Sequence, residues 1–266
     1  MYIQLGFLTT AFTALTLFAL LAPTLSDSAR ARVDRQGRSP FLGRLLVEFA
    51  YWLLSPIVRL AIALEVSPNA SSWACLLLGV ASGVVAAAGA IPLAGALVLG
   101  SALFDVVDGM LARSLGLASD AGEVLDAAAD RYSEFCFLTG LCFYYRREPW
   151  AMLAVQSALL ASMMVSYSQA KSEAMRIEPP RCWMRRPERV VYLGGGAFLS
   201  PLITTWLESG NPQPVHYPLL LAVLLVAIFG NVGAIRRFGL LYRIARSRSP
   251  FSRDLARRDS SRHLLG

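Results

Sequence analysis

Six long apolar segments follow one another between residues 69 and 240, and they restrict this chain to one class of fold. We place them near residues 70–89, 92–114, 121–144, 149–176, 188–207 and 217–238. A helix needs about 20 mostly apolar residues to cross the hydrocarbon core of a bilayer. Backbone groups inside a bilayer must bond within the protein, which favours helices here. The sequence therefore predicts an all-α integral membrane protein, multi-pass, whose main body is a bundle of six transmembrane helices.

The composition agrees with this fold and argues against other classes. Of the 266 residues, 55% are hydrophobic and 16% are charged. The net charge of +7 comes from basic residues in a few segments and not from a soluble basic face, so no nucleic-acid partner is expected. The four cysteines form no CxxC pair, so neither a zinc site nor a disulfide framework is expected.

Three further segments flank the six spans. Residues 2–25 form an uncharged apolar run without the basic start of a signal peptide, which predicts an extra N-terminal anchor helix. With the Arg-rich linker that follows, it makes up region 1–39. Residues 40–66 are apolar but carry charges, which predicts an N-terminal interfacial helix at the start of a membrane domain over 40–245. Residues 246–266 form a polar C-terminal tail.

Four aspartates recur at fixed intervals in the second and third spans. The segment reads Asp105-x2-Asp108-Gly109-x2-Ala112-Arg113-x8-Gly122-x3-Asp126-x3-Asp130. At about 100° per residue, Asp105 and Asp108 share one face of a helix, and Asp126 and Asp130 share one face of the next. If the two helices are antiparallel neighbours, the four carboxylates converge.

Convergent carboxylates at membrane depth need a cation. Charged side chains inside a bilayer are costly, and like charges cannot be packed together unpaired. Only Arg113 and Arg131 lie nearby in the sequence, too few to neutralise four acids in a salt-bridged helix pair. Hard oxygen ligands without a nearby His or Cys favour Mg²⁺, Mn²⁺ or Ca²⁺ over zinc. The motif therefore predicts a metal site.

The motif resembles the signature of the CDP-alcohol phosphotransferase (CDP-alcohol phosphatidyltransferase) family, whose every fixed position is present at the family's spacing. The resemblance implies a transferase of phospholipid biosynthesis. Such an enzyme moves a phosphatidyl, or other substituted phosphoryl, group from a CDP-linked lipid such as CDP-diacylglycerol to an alcohol and releases CMP. The implied cofactor is Mg²⁺ or Mn²⁺, as two ions, and the implied assembly is a homodimer surrounded by membrane lipid.

The resemblance assigns roles to the four aspartates. Asp105, Asp108 and Asp126 are implied metal ligands, and Asp130 is implied as the general base that also shares the second metal ion. The chemistry needs such groups, because the charge of the pyrophosphate must be neutralised and the acceptor hydroxyl must lose a proton. We therefore expect all four carboxylates in one site.

The same resemblance places the CDP-linked lipid against small residues and one arginine. Gly109 and Gly122 let backbone or nucleotide approach closely, because neither carries a side chain. Ala112 keeps the floor of the site shallow, and Arg113 is expected to pair with the pyrophosphate. Asn69 is expected near the nucleotide, and the alternative for this residue is a helix cap at the start of the first span.

A second cluster of charges marks the facing ends of the fourth and fifth spans. The chain there reads Ser166-Tyr167-Ser168-Gln169-Ala170-Lys171-Ser172-Glu173-Ala174 and, further on, Arg185-Arg186-Pro187-Glu188-Arg189. Pro187 suits the first turn of a helix, which makes Arg186 the expected cap. A helix N-terminus beside several guanidinium groups is an anion site, and the alternative is a basic loop against lipid headgroups.

This cluster resembles the branch of the family whose acceptor already carries a phosphate, particularly the inositol-phosphate-using synthases. The resemblance implies an acceptor-phosphate site formed by Ser166, Lys171, Arg186 and Arg189. Two positions depart from the pattern, because Gln169 replaces a basic residue and Lys171 replaces an arginine and loses its bidentate geometry. A polyol phosphate is therefore the expected acceptor, with glycerol 3-phosphate and a neutral alcohol such as serine as alternatives.

The basic residues also orient the bundle. If the start of the first span is cytoplasmic, most Lys and Arg residues fall on the cytoplasmic side, as the positive-inside rule requires, and Arg146 and Arg147 are the exception. The motif aspartates then face the cytoplasm, and in a bacterium the membrane is the inner (plasma) membrane.

Two other classes of protein share some of these features. An intramembrane prenyltransferase also uses aspartate clusters with Mg²⁺, and a non-enzymatic cation-binding protein, such as a transporter, also carries intramembrane acids. The Gly109-x2-Ala112-Arg113 element argues against the first. The placement of the acids towards one side of the membrane argues against the second, because a transport pathway needs polar groups across the whole bilayer.

Overall fold

The computed structural model describes residues 54–117, 119–178, 183–208 and 214–248, and the long elements within them are all α-helices. A short helix, α1, covers Leu54–Ala63. Six long helices follow it: α2 Pro68–Ala87, α3 Ile91–Leu115, α4 Asp120–Tyr144, α5 Pro149–Ala174, α6 Arg186–Leu207 and α7 Tyr217–Arg248. The predicted all-α class is confirmed. The predicted N-terminal anchor and linker, residues 40–53 and the tail beyond 248 lie outside the described residues.

Five of these helices are long and apolar enough to cross a membrane, namely α2, α3, α5, α6 and α7. Helix α4 has 25 residues but carries the acidic residues of the motif in its first half. The predicted boundaries agree with the observed ones to within two residues, except at the end of α7. That helix continues to Arg248, whereas the apolar pattern predicts an end at residue 238.

Short polar residues and one glycine define the ends of α2, α3 and α4. The Ser67 hydroxyl caps α2 by accepting a backbone N–H bond of 3.2 Å, so the cap reading of Asn69 is wrong. Gly116 ends α3 with φ 66°, a left-handed conformation that glycine adopts without strain. Ser119 caps α4 by accepting from the N–H of Gly122 at 3.2 Å. This short turn places the two halves of the aspartate motif on consecutive helices.

Helix α6 begins one residue earlier than its expected cap implies. Arg186 is the first helical residue and Arg185 is the cap, where its N–H donates to Glu188 Oε2 at 3.0 Å. Pro187 lies in the first turn, where a backbone N–H would have no hydrogen-bond partner within the helix, so a proline costs no helical hydrogen bond there. The prediction of Arg186 as the cap is therefore wrong by one position. Arg186 projects its side chain from the first residue of the helix.

The six long helices pack as a closed ring around a main apolar core. Helix α2 packs against α3 and α4, α3 packs against α6, α7 lies against α6 and α5, and α5 returns to α4. The main core cluster draws apolar side chains from all six helices. Helices α2, α3, α4 and α6 thereby enclose the space next to the motif aspartates.

Glycines allow α2 and α4 to approach closely. A Cβ on Gly83 would lie 2.3 Å from the carbonyl oxygen of Cys136, and a Cβ on Gly140 would lie 2.1 Å from the carbonyl oxygen of Gly83. A Cβ on Gly79 would lie 2.2 Å from Ser133 Cβ. Small residues at such close contacts are typical of membrane helices.

Gly140→Ala is expected to destabilise the bundle, because the carbonyl group of Gly83 is part of a helix and cannot move aside. Overpacking of this kind costs about 1–3 kcal/mol. Gly195→Ala is the matched control, since an added Cβ there meets no atom within 4 Å and both changes gain the same helix propensity. Thermal unfolding in detergent should give a lower Tm for Gly140→Ala only. Equal Tm values for the two variants would contradict the packing.

Candidate active site

Three carboxylates of the motif come together where α3 and α4 face each other. Asp105, Asp108 and Asp126 each offer one oxygen atom, and these atoms lie within 4.8 Å of one another. Asp108 is buried, and the other two are half-buried. Oxygen donors at this spacing can hold a hard divalent cation. The spacing of the motif thus brings three of its predicted ligands to one point.

Asp130 lies beside this group, one helical turn along α4 from Asp126. It is 6% exposed, and its Oδ1 contacts Arg186 Nη2, while Arg131 Nη1 lies 4.0 Å from its Oδ2. Arg186 Nη1 also donates to Asp105 Oδ2 at 2.6 Å. One guanidinium therefore joins a candidate metal ligand on α3 to the candidate base on α4.

Asp108 is fixed by a serine that the sequence pattern did not single out. Ser72 Oγ on α2 donates to Asp108 Oδ2 at 2.9 Å, and both residues are buried. A hydrogen bond to the ionised form stabilises a carboxylate. Nothing in the spacing of Ser72 signals this role, because it depends on how α2 packs against α3.

Arg189 lies in a different environment from Arg186. Its Nε and Nη2 donate to Glu134 Oε1 and Oε2 at 2.6 and 2.8 Å, and its Nη1 donates to the carbonyl oxygen of Met184 at 2.8 Å. Arg189 is 1% exposed and Glu134 is 8% exposed. The i+4 spacing from Asp130 is the sequence signal that places Glu134 on the same face of α4.

The other acceptor-site candidates lie on α5. Ser166 Oγ donates to a carbonyl oxygen of its own helix at 3.0 Å, and Lys171 is exposed. Neither contacts Arg186 in the part of the chain that the structure describes. Gln169 donates to Glu173 Oε1 at 2.6 Å and accepts from Arg237 Nη1 at 3.0 Å. The guanidinium of Arg237 on α7 therefore provides a positive charge beside Gln169, where the family pattern has a basic residue.

The residues predicted to contact the CDP-linked lipid lie on α2, α3 and α4 and are exposed or half-buried. Arg113 is exposed and its guanidinium lies over Gly109, where an added Cβ would meet Nη1 at 3.3 Å. Ala112 and Gly122 are half-buried, and Asn69 is exposed in the first turn of α2. At Gly109 a side chain would thus first meet the flexible end of Arg113.

A small cavity lies next to Asp130, between α2, α3, α4 and α6. The polar residues that line it are Ser101, Asp130, Ser133, Glu134 and Arg186, and the apolar ones include Phe137 and Leu193. Ser133 Oγ donates to the carbonyl oxygen of Ala129 at 2.7 Å. The cavity therefore extends the carboxylate site into the bundle.

The fold and the site define an integral membrane helical protein with a cluster of carboxylates on two consecutive helices. The sequence profile of the CDP-alcohol phosphatidyltransferase family matches residues 65–231, which is more than half of the chain. The chain belongs to this family.

Two relatives from this family have sequences similar to this chain. The chain is 35% identical over 101 residues to phosphatidylinositol phosphate synthase of Mycobacterium tuberculosis, covering 37% of this chain and 46% of the relative. It is 32% identical over 145 residues to phosphatidylinositol phosphate synthase of Corynebacterium glutamicum, covering 52% of this chain and 66% of the relative. Each alignment spans less than two thirds of the relative.

The crystal structure of the Mycobacterium tuberculosis phosphatidylinositol phosphate synthase with CDP-DAG bound superposes with a TM-score of 0.59 at 25% identity. The match covers 69% of this chain and 90% of that chain. The similarity in fold therefore extends beyond the segment that aligns by sequence.

Proposed function

We propose that this protein is a transferase that moves the phosphatidyl group of a CDP-linked lipid, such as CDP-diacylglycerol, to an alcohol and releases CMP. The observation that carries the proposal is the group formed by Asp105, Asp108 and Asp126, whose oxygen atoms lie within 4.8 Å of one another beside Asp130. Such a group can hold a divalent cation, which would provide the positioned positive charge that phosphoryl transfer needs. Membership of the family supports the same reaction.

The carboxylates fit a divalent cation, and we propose Mg²⁺ or Mn²⁺, as two ions. Every donor in the group is a hard oxygen atom. Asp105, Asp108 and Asp126 would hold the metal, with Asp130 shared at the second ion. When bound, the metal supplies the positive charge that neutralises the pyrophosphate of the donor lipid.

The chain's own residues then position the two substrates. Asp130 takes the proton of the acceptor hydroxyl, and it is placed to do so because Arg186 holds its carboxylate. Arg113, exposed above Gly109, pairs with the pyrophosphate from the accessible side of α3. Gly122, Ala112 and Asn69 complete the proposed face for the CDP-linked lipid.

The proposed acceptor is a phosphorylated polyol of the inositol phosphate class. The named relatives support it, and so does Arg186, whose Nε is buried with no hydrogen-bond partner among the described residues. A phosphate oxygen would satisfy this donor with a charge-assisted bond. Ser166, Lys171 and Arg189 stay predictions for the same site, although the ion pair of Arg189 with Glu134 favours an indirect role.

A panel of acceptors tests both parts of the proposal. The purified protein is given CDP-diacylglycerol and Mg²⁺ with inositol phosphate, glycerol 3-phosphate, inositol or serine, and CMP and the mass of the lipid product are measured. We expect CMP release with a phosphorylated acceptor and a product that retains the acceptor phosphate. A product from serine would reject the phosphate site, and no CMP from any acceptor would reject the transferase. Diphosphate release from a prenyl diphosphate would support the prenyltransferase alternative.

We also propose that α4 is the sixth span, that the site faces the cytoplasm and that the protein forms a homodimer. Arg146 follows α4 and Arg176 follows α5, so the two exposed residues lie at opposite ends of α5. In a chain whose native cysteines are replaced by alanine, a membrane-impermeant thiol reagent should label Arg146→Cys in intact cells. Arg176→Cys should react only after lysis. The reverse pattern would overturn the orientation.

A further inference from the structure

A buried ion pair joins α4 to α6 next to the proposed acceptor site. Arg189 Nε and Nη2 donate to the two carboxylate oxygens of Glu134 at 2.6 and 2.8 Å. The exposed fractions of the two residues are 1% and 8%. A buried ion pair is a weak source of net stability, because desolvation of both charges offsets their attraction. Its bidentate geometry, however, fixes the relative position of the two side chains.

The same arginine holds the turn that precedes α6. Its Nη1 donates to the carbonyl oxygen of Met184 at 2.8 Å. Met184 has φ 55°, in the left-handed region that residues with a Cβ rarely adopt, so its conformation depends on surrounding contacts. From the other side, Glu188 Oε2 accepts from the N–H of Arg185 at 3.0 Å. The backbone of residues 184–189 is thus fixed by two side chains of its own helix.

Arg186 lies within this fixed segment. Its guanidinium donates to Asp105 at 2.6 Å and also contacts Asp130. Asp130 and Glu134 are one turn apart on α4, and Arg186 and Arg189 are one turn apart on α6. The two helices face each other across the small cavity, which Asp130, Glu134 and Arg186 line. The ion pair of Glu134 and Arg189 therefore lies one turn along both helices from the contacts that Arg186 makes with Asp105 and Asp130.

We propose that Glu134 and Arg189 are positioning residues that set the affinity for the acceptor by holding Arg186 in place. This inference rests on the proposed function, in which Arg186 binds the phosphate of the acceptor. Glu134 touches no substrate in this scheme and acts through Arg189 and the Met184 turn. Its loss would release Arg186 and leave the face of α3 that binds the CDP-linked lipid unchanged.

Steady-state kinetics of the full-length protein with CDP-diacylglycerol and inositol phosphate test the proposal. Glu134→Gln removes the charge and keeps the shape of the side chain, whereas Arg189→Lys keeps the charge and loses the bidentate geometry. Glu208→Gln is the matched control. Glu208 is also a buried carboxylate, at the opposite end of α6, where it accepts from the N–H groups of Val215 and His216.

Glu134→Gln and Arg189→Lys should each raise the KM for inositol phosphate about ten-fold and leave the KM for CDP-diacylglycerol within about two-fold. Glu134→Gln should add no further loss to Arg186→Ala, because both changes act on the same guanidinium. Glu208→Gln should lower the Tm and change neither KM.

A merely structural role gives a different result. Equal changes in both KM values, or effects of Glu134→Gln and Arg186→Ala that multiply in the double variant, would overturn the proposal. If Glu134→Gln does not fold, Arg189→Lys decides the question by the same two KM values. Wild-type protein that releases no CMP with any acceptor of the panel rejects the proposed function itself, and CMP release with other acceptors but not with inositol phosphate rejects the proposed acceptor. Normal wild-type turnover with unchanged variants rejects only the positioning role.

Discussion

Chelation of divalent cations with EDTA is expected to abolish CMP release, and Asp126→Asn should do the same even when Mg²⁺ is present. Asp126 contributes one of three carboxylate oxygens that lie within 4.8 Å of one another. Asparagine keeps the shape of the side chain but removes the negative charge that holds the cation. Loss of a metal that neutralises the reacting phosphate removes several kcal/mol of transition-state stabilisation, on the order of a thousand-fold in rate.

Two comparisons separate metal loss from general damage. Asp120→Asn makes the same chemical change in the first turn of the same helix, on an exposed residue, and should leave turnover unchanged. Excess Mn²⁺ should restore the EDTA-treated wild type and fail to restore Asp126→Asn, and Mn²⁺ binding followed by electron paramagnetic resonance should show the corresponding loss. Full turnover in EDTA would reject the metal proposal.

The helices of this protein were predictable because their signals are local. Apolar length sets each span, and Ser67, Gly116 and Ser119 define ends through hydrogen bonds and backbone conformations within a few residues. The end of α7 was predicted too early for a physical reason. A hydropathy pattern counts Arg237 as a charged residue, but this side chain is 5% exposed and bonds to Ser168 and Gln169 on α5, so the helix continues.

The aspartate cluster was predictable for a related reason. Asp105 and Asp108 are three residues apart on one helix, Asp126 begins the matching face of the next, and a short turn joins the two helices. Helical periodicity and chain connectivity alone therefore bring three carboxylates together. The partner of Asp108 was not predictable, because Ser72 lies 36 residues away and its direction depends on how α2 packs.

The two arginines of α6 show where periodicity becomes insufficient. Arg186 and Arg189 are three residues apart and lie on neighbouring, not identical, directions around the helix axis. Which of them faces the aspartates is decided by the rotation of α6 against α3 and α4. In the structure Arg186 reaches Asp105, and Arg189 turns to Glu134. A sequence pattern that treats both as phosphate ligands cannot make this distinction.

Asp130→Asn is expected to lower kcat by about 10²–10⁴-fold, the range typical of a general base. The amide keeps the shape of the side chain but cannot take a proton from the acceptor hydroxyl. Asp130 lies outside the group of three carboxylate oxygens, so the variant should retain more Mn²⁺ and CDP-lipid binding than Asp126→Asn. The measurements are kcat from CMP release and the Kd for CDP-diacylglycerol in both variants.

The comparison of the two variants decides the role of Asp130. Arg186 contacts both Asp130 and Asp105, so it keeps one carboxylate partner when Asp130 is replaced, and the acceptor site should survive. If Asp130 is the base, Asp130→Asn should therefore show a large loss in kcat with little change in the KM for either substrate. If Asp130→Asn loses as much metal and CDP-lipid binding as Asp126→Asn does, Asp130 is a metal ligand and not a base. Near-normal turnover of Asp130→Asn would exclude it as the base.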